Sequence, residues 1–98
     1  MIPREEITKA IFDALDEINE QLPEGRKLEK SLDTVLYHRS GQLDSLQLVN
    51  LIVATEQGIE QAFDRVVVLA DEKAVARERS PFRTVRSFAE YIAGRLDQ

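Results

Sequence analysis

The sequence predicts an all-α fold: a four-helix bundle of three longer helices and one short helix, with a long loop between helices 1 and 2. Three observations point there. Apolar residues recur at spacings of three and four in the segments 7–22, 45–63 and 85–96. Capping residues and Pro or Gly mark the ends of these segments. Only one short run, Val66 to Leu69, has β-rich composition. With 98 residues, 43% of them hydrophobic, the chain is sized for one domain, 1–98, with one core.

The first helix is expected from about Pro3 to Gln21. Pro3 suits a first helical turn, where its missing N–H costs nothing. Glu5 and Glu6 favour the positive end of the helix dipole. Ile7, Ile11, Leu15, Ile18 and Leu22 form one apolar stripe. Asp13, Asp16, Glu17 and Glu20 lie off it as a solvated face. Pro23 and Gly25 are the stop signals. The connection from Arg26 to Asp44 is long for a compact domain. Its apolar residues Leu28, Leu32, Val35, Leu36, Tyr37 and Leu43 predict that it is stapled to the core.

The second helix is expected from Ser45 to about Asp64. Leu48, Ile52, Ile59 and Phe63 share one side, and Leu46, Val49 and Val53 widen the apolar surface. Gln47, Asn50, Ala54, Gln57 and Gln61 form the opposite stripe. A helix this apolar is expected to be the central one. Gly58 within it costs up to about 1 kcal/mol relative to Ala, and marks a weak point or a close helix contact. Val66 to Leu69 reads equally as a short buried strand or an extended connection, and as core. Asp71 is suited to cap a short helix to about Arg77. After Pro81, Thr84 caps the last helix, with Val85, Phe88, Ala89, Ile92 and Leu96 on one face.

Composition narrows the chemistry. The chain has no cysteine and one histidine, His38. Disulfides, cysteine-based metal centres and a protein thiol nucleophile are excluded. A lone histidine excludes an intramolecular two-histidine metal site, and no metal ligands are assigned. The net charge of −5 disfavours a general nucleic-acid binder. The N-terminal residues lack an apolar signal region, and no apolar run approaches the roughly 20 residues of a membrane span. A cytoplasmic location and a monomeric state are the expectations.

The junction Gly41-Gln42-Leu43-Asp44-Ser45-Leu46-Gln47-Leu48-Val49 sets a serine at the mouth of the second long helix. Capping accounts for part of it: with Asp44 as N-cap, Gln47 falls at the third helical position of a capping box. A serine hydroxyl there is also a good attachment point for a phosphate, because free N–H groups and the helix dipole stabilise an anion. On this reading Ser45 is exposed, and Leu46 and Val49 anchor the backbone beneath it.

Here the sequence resembles the acyl carrier protein family. The likeness spans roughly Leu32 to Leu96. Its motif is Asp44-Ser45-Leu46 followed by Leu48-Val49, after a long loop and before a short and a last amphipathic helix. Ser80-Pro81-Phe82-Arg83-Thr84-Val85 resembles the family's entry into its last helix. The resemblance implies a single acyl carrier domain with 4′-phosphopantetheine attached to Ser45 by a phosphopantetheinyl transferase that takes it from coenzyme A. An acyl or aminoacyl group would then ride as a thioester and be presented to partner enzymes of a lipid or secondary-metabolite pathway. Asp44 would assist the transferase beside the site, and Leu46 would belong to the docking surface. The protein itself would be no enzyme, and would have no catalytic residue.

The family usually presents acids on its second helix. Here that stripe is amide-rich, with Glu56 and Glu60 the only acids between Ser45 and Phe63. This points to a specialised, stand-alone carrier with a dedicated loading ligase and acyltransferase. D-alanyl carrier proteins, with a similar Leu-Asp-Ser junction, are an example of such a role. Gln47 and Asn50 are the expected partner contacts, and His38 and Arg39 are expected to border the arm or a partner. A Ser45–His38 catalytic pair is disfavoured, because no nucleophile elbow or oxyanion motif surrounds Ser45. The alternative is a small helical nucleic-acid-binding domain using Arg77, Arg79, Arg83 and Arg86.

Overall fold

The computed structural model describes residues 4–22, 24–36, 45–69 and 82–96. Its elements are α1 (Arg4–Asn19), a 3-10 turn (Glu24–Arg26), α2 (Ser45–Phe63) and α3 (Val85–Leu96). Among the described residues the fold is all-α, with an isolated antiparallel bridge between Val35 and Thr84 in place of a sheet. The short helix expected from Asp71 to about Arg77 lies outside the described residues. The helix count established here is therefore three.

The apolar stripe of α1 does what its spacing predicts. Ile7, Ile11, Leu15 and Ile18 are buried, with Ala10 and Ala14 beside them, and Leu22 follows just past the helix. Each large side chain so buried contributes about 1.5–3 kcal/mol. The helix stops at Asn19, two residues early. Gln21 N–H and Leu22 N–H turn to the carbonyls of Ile18 and Asn19, three residues back, which tightens the last turn.

Among the described residues the helix that packs against both others is α1, not α2 as its apolarity suggested. The seam between α1 and α2 is set by side-chain size. At Gly58 of α2 a Cβ would sit 3.4 Å from Ala10 Cβ and 3.8 Å from Ala10 Cα. Two small residues thus let the helices approach closely, and Gly58 is a close contact. The third helix buries Val85, Phe88, Ala89, Ile92, Ala93 and Leu96. Phe82 is fully buried and makes edge-to-face contacts with Phe88 and Tyr91, at 5.4 and 5.6 Å between centroids.

The connection after α1 is stapled down at two places. Asn19 brackets Leu28: its Nδ2 donates to Leu28 O at 2.9 Å, and Leu28 N–H donates to its Oδ1 at 2.8 Å. Leu28 and Leu36 are buried, whereas Leu32 and Val35 stay 37% and 42% exposed. The second staple is the start of α3. Leu36 N–H donates to Arg83 O, Val85 N–H to Thr34 O, and Arg86 N–H to Leu32 O. Thr84 Oγ1 accepts from Ser87 N–H at 3.1 Å, while Ser87 Oγ accepts from Thr84 N–H at 3.0 Å. This is a capping box with serine in the glutamate position. The unpaired donors of that helix end are all satisfied, from the loop and from the cap.

The second helix closes at Asp64, whose φ of 53° is left-handed, a conformation Asp tolerates better than most residues. Residues 65–69 have no regular secondary structure. They alternate: Val67 and Leu69 are buried, while Val66 and Val68 are 77% and 60% exposed. The run is therefore half core, with a period of two. Leu69 N–H donates to Glu56 Oε2 at 2.7 Å, Arg95 donates to Val68 O, and Arg65 donates to Leu96 O. These three bonds tie the segment to α2 and α3.

Candidate functional site

Ser45 is the first residue of α2, where the junction motif predicted a helix start. Residues 45–55 carry no ionisable side chain. The inward face of α2 consists of Leu48, Leu51, Ile52, Thr55 and Ile59, all at most 1% exposed. Thr55 resolves its hydroxyl locally by donating to Leu51 O at 2.8 Å. At about 100° per residue, Leu46, Val49 and Val53 fall on the far side of that face. They are 69%, 43% and 43% exposed.

This corrects the expectation that Leu46 and Val49 anchor the backbone beneath Ser45. Leu48, Leu51 and Ile52 are the anchors. Leu46 and Val49 are free of the core, so Leu46 is available as a surface residue. The error has a physical source. With Leu at 46, 48 and 51 and Val at 49 and 53, apolar residues surround the first two turns, and composition alone cannot orient them. The usable signal was the longer pattern 48, 52, 55, 59, with a threonine that can satisfy itself within the helix.

The amide stripe is divided. Asn50, Gln57 and Gln61 are exposed, while Gln47 and Ala54 are half-buried. Gln47 is engaged with a neighbouring group. The outer face of α2 thus presents Leu46, Val49, Asn50, Val53 and Gln57, a strip of hydrocarbon edged by amides. Glu56 is turned to Leu69 N–H. Glu60 is the first acid exposed on the helix, about 22 Å along the axis from Ser45.

Asp44, His38 and Arg39 lie outside the described residues, as do Tyr37, Arg77 and Arg79. Of the arginine-rich stretch, Arg83 is exposed, and Arg86 is paired with Asp33 at 3.1 Å. Away from the α2 strip, an open groove of about 410 Å³ runs beside the Gly58–Ala10 approach, lined by Glu6, Lys9, Asp13 and Gln61. The Lys9 ammonium there is held above its usual pKa by its hydrogen bond to Asp13 and by that carboxylate's charge.

Among the described residues no helix is long and apolar enough to cross a membrane. Compared with protein-family models, with curated proteins and with solved structures, the chain gives no match.

Proposed function

We propose that this protein is a specialised acyl carrier, with 4′-phosphopantetheine joined to Ser45. The observation that carries the reading is the setting of Ser45. It opens a 19-residue helix, and the residue after it, Leu46, is 69% exposed. A first helical turn offers N–H groups and the positive end of the dipole to a phosphodiester. The open outer face beside it leaves room for a bulky group and for the enzyme that delivers it. The residues present therefore fit the group.

The division of labour follows. Ser45 supplies the oxygen that is esterified. Backbone N–H groups of the first turn of α2 stabilise the phosphodiester charge. Leu48, Leu51 and Ile52, buried in the core, anchor the first two turns of α2. Asp44, by resemblance, assists the transferase. When bound, the group supplies the thiol that the chain lacks and on which an acyl or aminoacyl cargo is carried. No bond chemistry is asked of the protein itself. Its partners are a phosphopantetheinyl transferase, a loading ligase and an acyltransferase of a lipid or secondary-metabolite pathway. A monomer in the cytoplasm suits that role.

The alternative is a small helical nucleic-acid-binding domain. It needs a continuous basic face, and one of its four arginines, Arg86, is occupied by Asp33. A test separates the two. Incubation with coenzyme A and a broad-specificity phosphopantetheinyl transferase should raise the intact mass by one phosphopantetheinyl group, and Ser45→Ala should abolish the gain. No gain with several transferases, together with a salt-sensitive shift of duplex DNA, would replace the carrier reading with its rival.

A further inference from the structure

We propose that the groove between α1 and α2 is a docking site for a basic helix of a partner protein. The groove has a volume of about 410 Å³ and a floor of Ala10, Gly58 and Ala62. The close approach of Gly58 to Ala10 draws the helices together, and the small side chains leave an open channel above the seam. Gly58 lies about 20 Å along α2 from Ser45, at 1.5 Å per residue. A helix seated in the channel leaves Ser45 uncovered, so the proposal stands apart from the reading of that residue.

The two walls carry different chemistry. At about 100° per residue, Glu6, Asp13 and Glu17 fall within about 40° of one another, beside Ala10 on α1. Asp13 holds Lys9 at 2.8 Å, whereas Glu6 and Glu17 are exposed and hold no ion pair among the described residues. The α2 wall is set by Gln61, which is exposed and uncharged. No Lys or Arg occurs anywhere in α2, so no base on that wall neutralises the acids.

Charge and shape select the occupant. A second copy of this chain would set the acidic wall against itself, and an anionic lipid surface or a nucleic acid would be repelled in the same way. The channel is open, and encloses a small molecule too little to hold it. Its acids recur at spacings of seven and four. A helix lying along the seam matches them with Lys or Arg at the same spacings, over about 16 Å or three turns. The floor of glycine and alanine lets the backbone of that helix approach closely.

The test uses the full chain and a synthetic alanine-rich helical peptide with arginines at spacings of seven and four along one side. Isothermal titration calorimetry should give a submillimolar Kd, and the same peptide with glutamate in place of arginine should not bind. Affinity should fall at least about threefold between about 50 and about 300 mM NaCl. Amide resonances of Ala10, Gly58 and Ala62 should shift on titration. Glu17→Lys should weaken binding about five- to tenfold, whereas Glu60→Lys, the same charge change on the other side of α2, should weaken it less than about twofold. Both positions are exposed, so both variants should keep the native circular dichroism spectrum. Ser45→Ala should bind the peptide as the unaltered chain does, whatever the fate of the carrier reading. No binding, shifts confined to another face, or equal weakening by the two lysine variants would overturn the proposal. A dimer in sedimentation that Glu17→Lys dissolves would put a second copy in the groove, and would overturn it too.

Discussion

Gly58 sets the distance between the helix that carries Ser45 and the helix that holds the core together. Its replacement gives a prediction of both sign and size. A Cβ added there would meet Ala10 Cβ at 3.4 Å, Ala10 Cα at 3.8 Å and Ala10 O at 3.9 Å. The methyl group of Gly58→Ala therefore fits at ordinary contact distance. Alanine is about 0.8–1 kcal/mol better than glycine within a helix. A few tenths are spent on settling the contact, leaving a gain of about 0.5–0.8 kcal/mol. For a domain near this size, that raises Tm by about 2–6 °C. Gly58→Val behaves oppositely. Its two γ carbons cannot both avoid Ala10, so the α1–α2 seam must open, at a cost of about 1–3 kcal/mol. Thermal and urea unfolding followed by circular dichroism will measure both. A loss of stability in Gly58→Ala, or equal stability of the two variants, would refute the account of this close approach.

Three further outcomes follow from particular contacts. Asn19→Ala leaves Leu28 without partners for its N–H and C=O, and should cost about 1–3 kcal/mol. Limited proteolysis should then cut faster within residues 24–36. Thr84→Val removes the acceptor for Ser87 N–H and should cost about 1 kcal/mol by urea denaturation, whereas Thr84→Ser should keep most of it. The Lys9–Asp13 bond is fully formed below the ordinary lysine pKa and is lost as pH rises through the elevated one. Asp13→Asn should return the Lys9 titration, followed by NMR, to the ordinary lysine value. Stability at neutral pH should barely change, because the pair is exposed.

The helices were legible in the sequence because their inward faces are regular. The stripe of α1 and the face of α3 are the buried residues that periodicity names. The Thr84 cap follows from the same reading. Orientation of α2 was not legible over its first two turns, where leucine and valine occupy both sides. The bracketing of Leu28 by Asn19 was also hidden. An asparagine at a helix end reads as a stop signal, and nothing local reveals a partner nine residues away. The close approach of α1 and α2 depended on matching Ala10 to Gly58, a relation between distant positions that no single helix displays. For the candidate site, the start of α2 at Ser45 agrees with the motif reading, whereas the exposure of Leu46 overturns its reading as a backbone anchor. Gln47, placed in the same amide stripe as Asn50, is instead half-buried and engaged with a neighbouring group.

The central claim is that Ser45 carries the prosthetic group. Tandem mass spectrometry of the protein after reaction with coenzyme A and transferase tests it most directly. The account predicts a single modified peptide, with fragments placing the phosphopantetheinyl group on Ser45 and on no other serine or threonine. An unmodified chain, or the group mapped to another residue, would contradict it.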